Sequence, residues 1–245
     1  MQTAPVVLIT GAAKRIGRCI AHHLHAQGFS VVIHHRNSAT DADSLKRELE
    51  QIRPNTTLVL QAELGEFDRL PEIIAKTIGR FGRLDGLVNN ASSFFPTPVG
   101  STQDSDWQKL FASNAWAPFF LSQAATPHLQ ASEGSIVNIV DIYAERPLKN
   151  HTVYCMAKAA LAMMTQSLAK ELAPNVRVNG IAPGAILWPD TGKPEADKNA
   201  MLADTPLHRS GSPEEIAEAV RWLIQGASYC TGQIIRVDGG RHLNI

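Results

Sequence analysis

Short apolar runs rich in β-branched residues alternate along the chain with longer stretches whose apolar positions recur every three to four residues. That alternation is the signature of βαβ units around a parallel sheet. The runs predict strands at Val6–Thr10, Ser30–His34, Thr57–Gln61, Gly86–Asn89, Ser135–Ile139, Val176–Ile181 and Ile234–Val237. Between them the spacing predicts helices over roughly Ile16–Gln27, Ala42–Ile52, Arg69–Arg80, Asp104–His128, Thr152–Leu172 and Pro213–Ile224. The last of these has a clear start: Ser212 suits the N-cap, Pro213 the first helical position, and Glu215 completes a capping box. One long irregular stretch, Pro183 to about Lys198, has the composition of a loop over a ligand site. No repeat, low-complexity tract or linker divides the series, so residues 1–245 read as one domain.

Composition narrows the classes of function. With 44% hydrophobic residues among 245, the chain buries a full core. Lys plus Arg equals Asp plus Glu at 23 each, so no overall positive field points to nucleic acid or an anionic membrane. Cys19, Cys155 and Cys230 are scattered and odd in number, which fits free thiols in a reducing compartment. The first apolar run is far shorter than a signal core or a membrane span, and a soluble cytoplasmic protein is expected. His22, His23 and His25 share a helix without a nearby Cys or acid; they read as a solvated face, and no metal is expected.

The candidate chemistry sits at the carboxyl ends of the predicted strands. After the first strand comes Thr10-Gly11-Ala12-Ala13-Lys14-Arg15-Ile16-Gly17. Gly11 permits a tight turn, Gly17 close helix packing, and the helix start offers amides to a pyrophosphate, so Gly11, Lys14, Arg15 and Ile16 are candidate dinucleotide contacts. The expected architecture is a Rossmann-type, doubly wound, parallel seven-stranded sheet. An NAD enzyme would carry an acid at the end of the second strand; this chain has His34-His35-Arg36-Asn37-Ser38 instead. Arg36, Asn37 and Ser38 there favour a 2′-phosphate, and therefore NADP. Glu63 and Leu64 follow the third strand near the expected adenine. Asn90, Ala91 and Ser92 follow the fourth, and Pro183 with Gly184 the sixth. Asn114 is a poor helix former placed inside a helix, which marks it as a candidate site residue.

Tyr154 and Lys158 stand one helical turn apart and so share a face. The ammonium is expected to lower the phenol pKa toward the range of a proton donor. Thirteen residues before the tyrosine lies Asp141, a carboxyl group suited to chemistry on a nitrogen heterocycle.

The Thr10–Gly17 turn, the Asn89-Asn90-Ala91 segment, Asn114, Tyr154-x-x-x-Lys158 and Pro183-Gly184 occur in the order and spacing of the short-chain dehydrogenase/reductase family, which the chain resembles over essentially its whole length. The resemblance implies that Asn114, Tyr154 and Lys158 form a catalytic relay, that Lys158 also holds the nicotinamide ribose, and that the enzyme is a homotetramer. Most members carry serine at Asp141 and glycine at Arg15. Both substitutions, with the run Asn90-Ala91-Ser92-Ser93-Phe94-Phe95-Pro96-Thr97-Pro98, are similar to the pteridine reductase branch, and the tail Asp238-Gly239-Gly240-Arg241-His242-Leu243 resembles bacterial dihydromonapterin reductases. By that likeness Phe94 stacks on a pterin, Ser92 binds pterin and cofactor, and Arg15, Asp141 and Tyr154 meet the substrate, with Trp188 as a candidate pocket wall. The branch's phosphate-binding arginine adjoins its serine; here Asn37 stands between Arg36 and Ser38. Three functions follow as expectations: an NADPH-dependent pteridine reductase acting on dihydrobiopterin, dihydromonapterin or dihydrofolate; a carbonyl or 3-oxoacyl reductase on the same scaffold; and a non-catalytic NADP-binding sensor.

Overall fold

The structure, a computed structural model, describes residues 4–187 and 194–245. Its strands are β1 (Val6–Ile9), β2 (Ser30–His35), β3 (Thr57–Gln61), β4 (Gly86–Asn89), β5 (Ser135–Ile139), β6 (Arg177–Pro183) and β7 (Ile234–Val237). They form one seven-stranded sheet in the order β3-β2-β1-β4-β5-β6-β7, every pairing parallel. Chain order reverses beside β1, which pairs with β2 on one side and β4 on the other. A crevice opens there at the carboxyl ends of the strands, where open α/β sheets bind ligands.

The helices are α1 (Arg15–Ala26), α2 (Ala39–Ile52), α3 (Leu70–Phe81), α4 (Asp104–Phe111), α5 (Ala117–Ala131), α6 (Thr152–Leu172), α7 (Glu195–Ala203) and α8 (Pro213–Arg221). Buried residues of α1, α2 and α8, including Ile20, Leu24, Leu45, Leu49, Ile216 and Val220, pack on Val7, Ile9, Val31 and Ile33. The opposite face of the sheet carries Leu8, Val32 and Leu87 against Ile73, Ile74, Leu121, Leu129 and Leu168 of α3, α5 and α6. The near-continuous Val, Ile and Leu runs of the strands are those of a sheet covered on both faces.

Four strands and α6 fall on their expected bounds, and the exceptions have physical causes. The single helix expected over Asp104–His128 is two helices, α4 and α5, joined by a π turn at Ala112–Trp116. β6 runs on to Pro183, which pairs with Val237 at the strand's end, where no ladder donor is needed from the ring nitrogen. α8 forms as expected: the Ser212 hydroxyl accepts from Glu215 N–H at 3.4 Å, and the Glu215 carboxylate accepts from Ser212 N–H at 2.8 Å. It closes into a second π turn, Trp222–Gly226. The irregular stretch expected to reach Lys198 ends sooner, because α7 starts at Glu195. None of α7 is buried, so it carries no apolar stripe for periodicity to detect. Trp188 lies outside the described residues.

Candidate active site

A cleft of about 840 Å³ opens over the carboxyl ends of the strands. One end is built mainly from backbone. Gly11 has φ +64°, and a Cβ on Gly17 would stand 2.3 Å from Gly11 O and 2.6 Å from Asn90 Nδ2, so the β1–α1 turn has room only for glycine at both points. Asn90 Nδ2 donates to Thr10 O at 2.9 Å and Gly11 O at 3.2 Å, tying the end of β4 to that turn. On the other side Gly11 N–H donates to His34 Nδ1 at 3.2 Å, which leaves Nε2 to donate to Ala62 O at 3.2 Å. His34 is 1% exposed, and burial pushes its pKa down to about 4, so the neutral imidazole persists. Lys14, Arg15, Ile16, Arg36, Asn37, Ser38, Glu63 and Leu64 line the same end of the cleft.

The charges at this end are largely paired: Lys14 with Asp41 at 3.0 Å, and Arg36 with Glu63 at 3.6 Å. Both pairs are solvent-exposed and therefore weak. Ser38 is the N-cap residue of α2, but its hydroxyl makes no cap hydrogen bond, and it faces the cleft beside Asn37. The first turn of α1 and the N-cap of α2 thus both reach the cleft, as a dinucleotide's pyrophosphate and a ribose phosphate require. The residues present fit such a cofactor.

The other end is built from side chains. The Tyr154 phenol donates to Asp141 Oδ2 at 2.7 Å, and Tyr143 N–H donates to Asp141 Oδ1 at 2.9 Å. Lys158 Nζ donates to Ile139 O at 2.8 Å and lies 5.8 Å from the Tyr154 ring centre. This arrangement reverses the expectation that lysine lowers the phenol pKa. Burial, followed by the Asp141 charge and its hydrogen bond, raises Tyr154 well above its ordinary value. Burial also raises Asp141, against the pull of Tyr143 N–H, the phenol and Lys158, and lowers Lys158 to about 8. The phenol is therefore held in its protonated form, and its hydroxyl is directed at the Asp141 carboxyl group.

Phe94, 51% exposed, stands over this pair with its ring edge-on to Tyr154 at 4.8 Å and stacked on His151 at 4.6 Å. Phe95 instead packs into the cluster of Leu110, Val153 and Tyr154. Arg15, at φ +52°, occupies the left-handed region that favours glycine, and its Nη2 donates to Leu187 O at 3.4 Å. A non-glycine residue held there costs about 1 kcal/mol and more, and such positions cluster at ligand sites.

Asn114 does not line the cleft. It is buried in the π turn, donates to Leu110 O and Ser93 O at 2.9 Å each, and accepts from the Ser92 hydroxyl at 2.7 Å. Its side chain reaches the site by holding the Ser92 hydroxyl. Ala91, Pro183 and Gly184 line the cleft where expected. His34, Tyr143, Leu148, His151 and Met201 also line it and were not foreseen. His151 stands three residues before Tyr154, a helical spacing that carried a signal; Met201 lies on the unforeseen α7.

Among the described residues, no group of three or more His, Cys, Asp or Glu gathers around a metal position. The expected solvated histidine face is only partly so. His22 pairs with Glu48 at 3.2 Å, but His25 is fully buried against the Thr56 hydroxyl at 2.8 Å, and its pKa is lowered to about 4, chiefly by burial. No helix among the described residues is long and apolar enough to cross a membrane.

A family model described as enoyl-(acyl carrier protein) reductase matches residues 11–242. The chain belongs to the short-chain dehydrogenase/reductase family, and is an oxidoreductase of the kind that uses NAD(P)H. It is 38% identical to pteridine reductase 1 of Leishmania tarentolae, with 98% of this chain and 97% of that one covered. A putative ketoacyl reductase of granaticin polyketide synthase from Streptomyces violaceoruber is 34% identical, over 98% and 97%. A 3-oxoacyl-(acyl-carrier-protein) reductase of Thermotoga maritima is 36% identical, over 96% of each chain.

Proposed function

We propose that this enzyme is an NADPH-dependent pteridine reductase that converts 7,8-dihydropterins to tetrahydropterins. The observation that carries the proposal is the 2.7 Å hydrogen bond from the Tyr154 phenol to the Asp141 carboxylate, beneath the half-exposed ring of Phe94. A ketone offers one acceptor oxygen and needs one donor. A pterin offers a flat electron-poor face, which stacks on an aromatic ring, and an edge of alternating nitrogen donors and acceptors, which a carboxylate can meet. Arg15, held in a strained conformation in the β1–α1 turn, supplies a planar donor fork to the substrate or a cofactor phosphate.

NADPH is favoured over NADH because the end of β2 presents Arg36, Asn37 and Ser38 with no unpaired acid; Asp41 is already neutralised by Lys14. The Arg36–Glu63 pair is open enough for a 2′-phosphate to replace the glutamate, leaving Glu63 and Leu64 beside the adenine. Asn90, Ala91, Ser92, Pro183 and Gly184 form the floor near the nicotinamide, and Lys158 holds its ribose. Bound NADPH supplies hydride from C4 of the nicotinamide.

The chain's own residues manage the proton. Tyr154 stays protonated because burial and the adjacent carboxylate both oppose its ionisation. If it donated alone it would become an anion beside an anion. Because burial raises Asp141, its carboxyl group takes up a proton from solvent more readily than an exposed carboxylate does, and in that protonated form it passes a proton to the phenol as the phenol gives its own to the ring nitrogen. In this role Tyr154 serves reduction of the fully oxidised ring, with water as the donor in the dihydropterin step. Lys158 adds positive charge from beneath, anchored to Ile139 O, and Asn114 fixes Ser92.

The working form we propose is a cytoplasmic homotetramer. Helices α5 and α6 support it. After packing on the sheet, they still expose Phe119, Phe120, Met156 and Met163, large apolar side chains of the kind that subunit contacts cover.

The test is NADPH oxidation measured in parallel with a dihydropterin, dihydrofolate and a β-keto ester. Turnover with the dihydropterin is the expected result. Oxidation with the keto ester alone would support the 3-oxoacyl reductase reading that two of the relatives' names favour, and none with any substrate would leave a cofactor-binding sensor.

A further inference from the structure

Phe94 is 51% exposed on the segment after β4, and an aromatic side chain so placed is ordinarily free to change rotamer. Here the ring is held. It stacks on His151 with ring centres 4.6 Å apart and planes 12° apart, and it meets Tyr154 at 4.8 Å and 83°. His151, the N-cap residue of α6, is fixed from its own side: Nδ1 lies 2.9 Å from Lys149 O, and since a carbonyl only accepts, Nδ1 carries the proton of that bond. The two segments are also tied through backbone. Thr97 N–H donates to Asn150 O at 2.6 Å, Thr97 pairs with His151 in an isolated parallel bridge, and the buried Thr97 hydroxyl accepts from Val153 N–H at 3.4 Å. Phe94, His151 and Tyr154 all line the cleft.

We infer that His151 is a positioning residue for a flat heteroaromatic substrate: it holds the Phe94 ring in the orientation on which a pterin stacks, so that the ring is ordered before the substrate arrives. The inference rests on the pteridine reductase reading. The stack takes one face of Phe94, and the half of the residue that stays exposed is what a second ring can cover. Among the described residues His151 makes no hydrogen bond to Asp141, Tyr154 or Lys158, so its contribution is to binding and not to proton transfer. A carbonyl substrate without a flat face gains nothing from the pair. The stacked rings therefore favour the heteroaromatic class over the keto ester class.

The experiment measures kcat and KM for dihydrobiopterin, with the dissociation constant for NADPH as the control, in the parent enzyme, His151→Ala, His151→Gln, His151→Phe, Phe94→Ala and the Phe94→Ala/His151→Ala pair. His151→Ala and His151→Gln are expected to raise KM about threefold to tenfold, the worth of one aromatic pair. A loss of binding shared by ground state and transition state leaves kcat, and with it NADPH affinity, within about a factor of two. His151→Phe, which keeps a ring and loses the bond to Lys149 O, should return KM most of the way to the parent's. Because His151 acts through Phe94, the double variant should lose no more than Phe94→Ala alone. A KM rise as large in His151→Phe as in His151→Ala would show that the imidazole matters and the stack does not. Additive losses in the double variant would separate His151 from Phe94, and no rise in any His151 variant would remove it from recognition. Each of these overturns the inference while the pteridine reductase reading stands, whereas a parent that oxidises no NADPH with dihydrobiopterin overturns both.

Discussion

The two ends of the cleft are built in different ways. The end proposed for the cofactor is built mainly from backbone: a turn that only Gly11 and Gly17 fit, the first turn of α1, the N-cap of α2, and a neutral His34 that bridges Gly11 N–H and Ala62 O. The end proposed for the substrate is built from side chains that meet from distant segments: Phe94 after β4, Asp141 and Tyr143 after β5, Tyr154 from α6 and Met201 from α7. A backbone cradle constrains sequence at fixed local spacing and serves any member of the fold. A side-chain cluster is free to vary, and it decides which substrate is reduced.

The largest expected effect separates the two ends. Tyr154→Phe removes the phenol proton but no part of the cradle. Turnover of fully oxidised pterin should fall about a hundredfold to ten-thousandfold, while the dissociation constant for NADPH, measured by fluorescence titration, stays within a factor of two. Unchanged turnover would remove Tyr154 from the proton path.

The contrast also accounts for what was legible in the sequence. Seven strands, α6, α8 and the glycine turn follow from patterns of a few consecutive residues, and the structure has them. The candidate site was legible where a residue departs from a local motif, as Arg15 and Asp141 do. It was not legible where the link is tertiary. α7, which brings Met201 to the cleft, buries no residue that would give it a period. The expected direction of the Tyr154 shift failed for the same reason. Helical spacing places Lys158 on the right face, but only the fold turns its ammonium onto Ile139 O and leaves Asp141 as the phenol's partner.

Acid should break the cofactor end. His34 is neutral in the folded protein with its pKa lowered to about 4, whereas in the unfolded chain it has its ordinary value near 6.5. As pH falls below 6.5 the unfolded chain takes up the proton first. The stability associated with a neutral His34 is therefore present above 6.5 and lost between 6.5 and 4, to the extent of about 3 kcal/mol at 1.36 kcal/mol per unit. His25 acts in the same direction. Urea unfolding at pH 7 and pH 4.5 measures the loss, and His34→Gln should remove part of the slope; an unaltered slope would show that the clamp is not the acid-sensitive element.

The smallest effect concerns Arg15, which stands where the two ends meet. Arg15→Ala keeps the left-handed backbone strain and loses the guanidinium, whereas Arg15→Gly relieves the strain and loses it equally. The glycine variant should be the more stable of the two by about 1 kcal/mol in thermal unfolding, with the same rise in KM for dihydropterin in both. Equal stabilities would mean that the strain at Arg15 is negligible.

Asp141 carries the central claim, since it separates a pterin site from the general reductase site of the family. The most direct measurement is kcat/KM for a dihydropterin in the parent and in Asp141→Ser, with NADPH affinity as the control. The account predicts at least about a tenfold loss, the scale of a charge-assisted contact removed from the substrate edge, with NADPH affinity unchanged. A serine variant that reduces the dihydropterin as well as the parent does would contradict it.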